Sequence, residues 1–563
     1  VRKRAIIVNT VLSFCFFVVV LRLADIMLLN HERFSEKAKG QQFKEEEIQV
    51  RRGIIFDRRG REMAVNLELE SFYCDPLEID APESSAQAVS EITGKPRKTL
   101  LSKFSSEGRF VWIERKLQPD VARRIKDLKI SGMGFLPDAK RFYPKGPLAS
   151  QILGFVDIDN KGIEGVELKF NDYLRGNGGK IVFERDAGGR TLSQGVNMES
   201  RGNNLVLTID EGLQYMVEEE LDAALRQWHA SAATAIMMDP FTGEILALAN
   251  RPSYNPNLPS DSKSFERRNR AVTDCYEPGS TFKIIVGSAA IEENAVTLDS
   301  TFDCSKGAIE VGGRTIHDAH RHGLLTFKEV IQKSSNVGSV MIGMKLGKER
   351  VFKYAKAFGF GDKTGIDLPG EVSGWIRQPE KWSGVSLGSI SIGQEVAVTP
   401  LQVLRAYSAI GNGGLLVRPH VVSSILSPDG KQIWSFQADT RRAVSRKTAE
   451  TFKDILKTVT EEGGTAKSAS VDGNYVAGKT GTAQIIDPRT KRYSREKYVS
   501  SFVGFVPADN PKIAMIIVIY EPKGQIYGGV VAAPVFKQIA ENALSYLNVP
   551  REDTLGNTLV VAK

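Results

Sequence analysis

After a basic flank, VRKR, the chain carries no charge from residue 5 to residue 21, AIIVNTVLSFCFFVVVL, and turns apolar again in ADIMLLN. That run predicts one membrane-spanning helix over 5–29. No small-x-small cleavage site follows, which favours a retained anchor over a removed signal peptide. Arg2, Lys3 and Arg4 assign residues 1–4 to a cytoplasmic tail and everything beyond about residue 30 to the outside.

Residues 30–50 are polar and charged and read as a helical or extended stalk. Across 51–204, short apolar runs alternate with glycine-rich turns in RRGIIFDRRGRE, RFYPKG and NGGKIVFERDAGGR, the pattern of an irregular α+β pedestal with hairpins. A different texture begins at residue 205. LVLTIDEGLQYMVEEELDAALRQW predicts a strand, a turn with Thr208 and Glu211 at capping-box spacing, and an amphipathic helix. TAIMMDPFTGEILALAN predicts a hairpin around the turn at 239–243. From about 280 to 460 the pattern is mainly helical. Strand-like runs return in NYVAGKTGTAQII, SSFVGFVPA and KIAMIIVIYE, and a closing helix covers 533–547. The fold class is α/β of the α+β kind. In residues 205–549 one five-stranded antiparallel sheet is covered by helices on one side, with a helical subdomain inserted in its middle. Residues 550–563 form a polar tail.

Composition narrows the function. A chain of 563 residues has room for two to four domains, and 42% hydrophobic with 25% charged residues describes a globular protein rather than a disordered or polytopic one. Its net charge of +8 is spread along the sequence, which argues against nucleic-acid binding and for a general attraction to anionic membrane surfaces. The four cysteines make no C-x-x-C and no disulfide framework; pairing of Cys275 with Cys304 stays open. His317, His320 and His322, in HDAHRH, lack the spacing of a helical zinc site and read as a solvated loop, so no metal is expected.

Candidate chemistry centres on YEPGSTFK (276–283), where Ser280 precedes Lys283 by three positions. The same S-x-x-K spacing recurs at Ser260 with Lys263 and at Ser494 with Lys497, both in charged segments suited to solvent. Ser280 instead opens FKIIVGSAAI, a helix apolar nearly all round and therefore buried. A serine in a first turn has its own N–H ready for an oxyanion, and Lys283 lies on the same face. Burial and a second cation lower a lysine's pKa far enough for it to act as a base. TFKEVIQKSSNVGSV adds a short helix opened by the capping box Thr326 and Glu329, then a turn offering Ser334 for proton relay and Asn336 for a peptide carbonyl. Ser253 and Asn255 repeat that S-x-N spacing in a proline-rich loop. Lys479-Thr480-Gly481-Thr482 sits in β-patterned sequence. There Gly481 lets a substrate backbone lie close, Thr480 and Thr482 offer hydroxyls to a carboxylate, Thr482 offers a second oxyanion N–H, and Lys479 is the second cation. A second K-T-G, Lys363 to Gly365, lies in a glycine-studded connection and reads as a turn.

S-x-x-K, S-x-N and K-T-G in this order are the signature of β-lactamases and penicillin-binding proteins. With RRGIIFDRRGREMAVN (51–66), GIEGVELKFNDYLRGNGG (162–179), ERDAGGR (184–190), DPFTGEILALANRPSYNPN (239–257) and VTPLQVLRAYSAIGNGG (398–414), the chain resembles class B penicillin-binding proteins from residue 1 to about 547. The resemblance implies a membrane-anchored peptidoglycan D,D-transpeptidase that needs no cofactor. Its partners would be stem peptides on lipid-linked precursor, β-lactams bound covalently at Ser280, an FtsW-type glycan polymerase and other divisome membrane proteins. EPGSTFK, the compact pedestal opening and the length look like the division-specific FtsI type; SIGQ (391–394) is not distinctive. The alternatives are an elongation enzyme and, in another class, a non-enzymatic β-lactam sensor or divisome scaffold. A lack of extra carboxy-terminal repeats favours an inner membrane facing a periplasm.

Overall fold

A computed structural model describes residues 2–48, 51–176, 179–185, 191–197, 201–487, 489–490 and 492–552. The end of the expected stalk (49–50), residues 186–190 of ERDAGGR and the tail from 553 lie outside them.

The chain divides into two compact units. The first takes residues 1–52, 68–140 and 175–202. Its helix Arg2–Ala24 runs into a π-helical turn, Asp25–Leu29, and none of these residues is buried in the protein. Among the described residues, Arg2–Leu29 is the one helix long and apolar enough to cross a membrane. The stalk is both helical and extended: helix His31–Gln42 leads into strand Phe43–Ile48, which pairs with Gly179–Arg185 and through it with Thr191–Asn197. Elsewhere in this unit helices Pro82–Thr93, Arg97–Phe104 and Pro119–Asp127 close over strand Val111–Leu117, burying Phe72, Val89, Leu100, Phe104 and Ile125. Gly94 ends the first of these helices at φ +70°, a left-handed cap that glycine adopts freely.

The second unit takes residues 53–67, 141–174 and 203–563 and is built on five antiparallel strands in the order Ile245–Arg251, Ala232–Met238, Ile513–Tyr520, Tyr493–Val506, Ala477–Ile486. Helices cover both faces, not one as the sequence pattern suggested. Glu211–Trp228 and Ala533–Tyr546 pack on each other and on the sheet, and Pro400–Gly411 packs on the sheet apart from them. The cause is legible in the strands: every position of Ala232–Met238 and Ile245–Arg251 is buried, as continuous apolar runs require.

One further expectation is corrected. Helix Glu211–Trp228 is capped by Asp210, whose Oδ1 accepts from Gly212 N and Leu213 N, not by Thr208. The Thr208 hydroxyl is engaged elsewhere, donating toward the carbonyls of Ile245 and His420. The 280–460 block also holds short strands, among them Thr301–Asp303, Ala308–Val311, Arg314–His317 and Leu324–Thr326, too brief to imprint a period on the sequence. Strand Asn204–Leu207 pairs with Val422–Leu426 and Ile55–Phe56 rather than joining the five-stranded sheet.

Candidate active site

Ser280 sits in a tight 3-10 turn, Gly279–Phe282, that feeds helix Lys283–Glu292, of which residues 283–290 are all buried. The turn is pinned from three directions. Tyr276 exchanges backbone hydrogen bonds with Val398, Gly279 N donates to Gly393 O at 3.1 Å, and the buried Tyr407 hydroxyl donates to Thr281 O at 2.9 Å. Gly279 holds φ +55°, and a Cβ on Gly393 would stand 2.1 Å from Gly279 O. The SIGQ stretch is therefore a wall of the Ser280 turn. Half-buried Ser280 faces a cleft of about 1270 Å³, and among the described residues its hydroxyl accepts and donates no hydrogen bond.

Lys283 is 1% exposed, and its Nζ donates to Ser334 O at 2.6 Å, Asn336 Oδ1 at 2.9 Å and Ser334 Oγ at 3.2 Å. These acceptors converge because Thr326 and Glu329 form the expected capping box on helix Phe327–Gln332, the chain then turns, and helix Asn336–Leu346 begins at once. Ser334 occupies that turn at φ +58°, an uncommon conformation for a residue with a side chain.

Among the described residues, strand Ala477–Ile486 is an edge of the sheet, paired only with Tyr493–Val506. Lys479, also 1% exposed, points inward with long contacts to Thr480 O (3.5 Å) and Thr480 Oγ1 (3.4 Å). Thr480 Oγ1 shares a hydrogen bond with Thr465 Oγ1 at 3.1 Å, and Thr482 Oγ1 accepts from Gly528 N at 3.1 Å. Thr480 and Thr482 line the cleft with Ser280, Ser334 and Asn336. A Cβ on Gly481 would stand 2.4 Å from Ser501 Oγ, 3.0 Å from Thr281 Cγ2 and 3.1 Å from Pro278 O. The glycine thus lets the strand close against the turn that carries Ser280.

Burial pushes Lys283 down to about 7, against an upward pull from the Asp318 carboxylate. Burial, and then the charge of Lys283, hold Lys479 well below the usual lysine range. The repulsion is mutual, so charging one amine disfavours charging the other. An unprotonated amine three positions after a serine can act as a base near neutrality once a substrate brings the two together.

All eight sequence candidates thus gather around one cleft: Ser280, Lys283, Ser334, Asn336, Lys479, Thr480, Gly481 and Thr482. The duplicated spacings fall elsewhere. Ser260 is exposed and donates to its neighbour Asp261; Ser494 Oγ accepts backbone bonds from Glu496 and Lys497. Asn255 Oδ1 accepts from Asn257 N in its own loop. Lys363 is exposed, while Thr364 and Gly365 N are tied to Glu371. The four cysteines are free, with Cys304 buried and Cys275 exposed. His317, His320 and His322 rim the cleft, and no three metal-ligating side chains converge among the described residues.

Sequence reasoning passed over Asp318, Gly393 and Thr465. Asp318 lies inside HDAHRH, read as solvated loop, yet it accepts from Ser335 Oγ (2.8 Å), Val337 N (3.1 Å) and Asn336 N. Gly393 lies in SIGQ, read as not distinctive, and Thr465 lies outside all three motifs.

The profile of the penicillin binding protein transpeptidase domain matches residues 233–541, and that of the penicillin-binding protein dimerisation domain matches 47–207. Stage V sporulation protein D of Bacillus subtilis (strain 168) is 35% identical, over 99% of this chain and 88% of its own length. Peptidoglycan D,D-transpeptidase FtsI of Escherichia coli (strain K12) is 33% identical, over 94% of this chain and 89% of its own. Penicillin binding protein 3 of Mycobacterium tuberculosis, solved in complex with aztreonam, superposes with a TM-score of 0.70 at 29% identity, covering 90% of this chain and 98% of that one.

Proposed function

The chain belongs to the class B penicillin-binding proteins, and from that membership we propose how its own residues carry out peptidoglycan D,D-transpeptidation. One observation carries the assignment. The buried Lys283 amine, depressed toward neutrality, sits one helical turn after a free serine hydroxyl and within hydrogen-bond distance of Ser334 and Asn336.

In this reading neutral Lys283 takes the proton of Ser280 Oγ as that oxygen attacks the carbonyl between the two terminal D-alanines of a stem pentapeptide. The N–H groups of Ser280 and Thr482 receive the developing oxyanion. Asn336 holds a peptide carbonyl of the donor stem, and Lys479, Thr480 and Thr482 hold its terminal carboxylate. The C–N bond then breaks, and Ser334 relays a proton from the Lys283 ammonium to the departing D-alanine amine. An amine from a neighbouring stem attacks the Ser280 ester, gives up its proton along the same route, and leaves cross-linked product and free Ser280. A β-lactam opens on Ser280 by the same first step and stays, because no leaving group departs to admit the acceptor.

A role in septal synthesis is favoured over elongation by the EPGSTFK form and the pedestal opening at 51–66. The basic flank Arg2–Arg4 supports an amino terminus in the cytoplasm and a catalytic unit in the periplasm. Transpeptidation consumes glycan strands, and a dimerisation and a transpeptidase domain do not polymerise them, so a membrane-embedded FtsW-type polymerase is the proposed partner within the divisome. Full-length protein, given that polymerase and lipid-linked precursor, should produce cross-linked stem-peptide dimers, and Ser280→Ala should produce uncross-linked glycan only. Equal cross-linking by the Ser280→Ala protein would refute the mechanism.

A further inference from the structure

Asp318 follows strand Arg314–His317, and its carboxylate is engaged on both oxygens by a segment that begins at residue 335. Oδ1 accepts from the backbone N–H groups of Asn336 and Val337, and Oδ2 accepts from Ser335 Oγ. Asn336 Nδ2 answers by donating to His317 O at 2.9 Å. Ser335 is itself the N-cap of helix Asn336–Leu346, accepting from Gly338 N. Serine and aspartate together therefore satisfy the first donors of that helix, and the negative charge stands at its positive end.

This clamp is needed where it lies. The turn it closes holds Ser334 at φ +58° and aims three acceptors, Ser334 O, Ser334 Oγ and Asn336 Oδ1, at the Lys283 amine. A left-handed turn with a side chain persists only when its surroundings hold it.

The ionisable groups around this amine are few. Strand Ala477–Ile486 contributes Lys479, strand Arg314–His317 contributes His317 at the cleft rim, and the loop after it contributes Asp318. Lys333 lines the cleft just before Ser334. Cys304 lies behind Ser335 at 3.4 Å, its thiol pushed up by burial and so uncharged near neutrality. Glu292 is spent on Ser445, and Lys345 reaches Ala295 O at the far end of its helix. Among the described residues, Asp318 is thus the carboxylate whose charge acts on the Lys283 amine.

We propose, resting on the reading of Lys283 as base, that Asp318 is a positioning residue for acyl transfer. It fixes the turn that presents Ser334 and Asn336, and it supplies the negative charge against which the Lys283 ammonium forms when the Ser280 proton arrives. The two roles separate experimentally. Loss of the clamp lowers the maximal acylation rate, whereas loss of the charge makes the ammonium harder to form and moves the acid limb of the pH profile.

The test is the rate of acylation of the full-length protein in detergent micelles by a labelled penicillin, from about pH 5 to about pH 9. Asp318→Asn should lower the plateau about 10–100-fold and move the acid limb down by roughly one pH unit. Asp318→Glu keeps the charge but not the reach, so its plateau should fall while its limb stays with the wild type. Ser335→Ala should likewise lose plateau without moving the limb. Limbs that coincide for wild type and Asp318→Asn overturn the proposal, as does a limb that moves equally in Asp318→Glu. Should Asp318→Asn fail to fold, the Asp318→Glu and Ser335→Ala limbs decide it: a downward shift in either overturns it. A wild-type chain that takes no label on Ser280 overturns the underlying reading and the proposal with it.

Discussion

Adding a single methyl group at Gly481 should separate the two halves of the cleft. The new Cβ would stand 2.4 Å from Ser501 Oγ, and a rotation of that hydroxyl relieves this contact. The other two contacts have no such escape. Thr281 Cγ2 at 3.0 Å and Pro278 O at 3.1 Å both belong to the nucleophile turn, and one is a backbone carbonyl. Carbon atoms rest about 3.5–4.0 Å apart, so strand and turn must part by roughly 0.5–1 Å. Displacement of that order between Ser280 and the strand that holds the substrate costs about 10²-fold in rate. Overpacking of this kind costs about 1–3 kcal/mol in stability. Gly481→Ala should therefore acylate about 10²-fold more slowly than wild type in a stopped-flow assay with fluorescent penicillin, while thermal melting shows a folded but weakened protein. Gly430→Ala is the control. That glycine lies in an exposed turn at φ +85° with nothing within 4 Å of a Cβ, so the substitution should cost about 1 kcal/mol of strain and leave acylation unchanged. Acylation by Gly481→Ala within about threefold of wild type would refute the claim that the strand and the turn form one rigid cleft.

Lys479→Ala should lower acylation strongly, since it removes the amine buried beside Lys283 and the proposed contact for the substrate carboxylate, whereas Lys363→Ala, on an exposed turn, should acylate at the wild-type rate; the reverse order would move the chemistry to the other K-T-G. The acylation rate should climb with pH and level off above about 7, the value to which burial brings Lys283, and a rate independent of pH through that region would exclude the lysine as base. Because the folded-state pKa of Lys283 lies below its unfolded value of about 10.4, the folded protein binds fewer protons between the two, so the deficit in stability of wild type against Lys283→Met should shrink as pH rises through that window. A reporter fused after residue 60 should be active only outside the cytoplasm; activity inside would reverse the proposed orientation.

What the sequence disclosed, and what it withheld, follows from how local each signal is. The Thr326 and Glu329 cap and the buried helix after Ser280 rest on neighbours within a turn or two, and both stand as read. The order of three motifs singled out one set, in which Ser280 opens a helix buried along residues 283–290, whereas Ser260 and Lys363 of the duplicates are exposed. Asp318 was invisible for the opposite reason. Its partners are the backbone N–H groups of Asn336 and Val337, 18 and 19 positions on, and a backbone donor leaves no residue type to recognise. Gly393 was equally silent, since its requirement is a carbonyl brought to 2.1 Å from a phantom Cβ by a remote turn. The cap on helix Glu211–Trp228 was misplaced by two residues because the Thr208 hydroxyl turns to the carbonyls of Ile245 and His420, which the local window does not contain. Helices on both sheet faces could have been inferred: a strand buried at every position announces two covered faces.

The central claim is that Ser280 forms the acyl-enzyme. Full-length protein exposed to isotopically labelled penicillin, digested and sequenced by tandem mass spectrometry, reads this directly. One adduct of intact drug mass is expected on the peptide that contains YEPGSTFK, located at Ser280, persisting through purification and absent from Ser280→Ala. An adduct on Ser260 or Ser494, or drug released quickly as hydrolysed product with Ser280 unmodified, would contradict it.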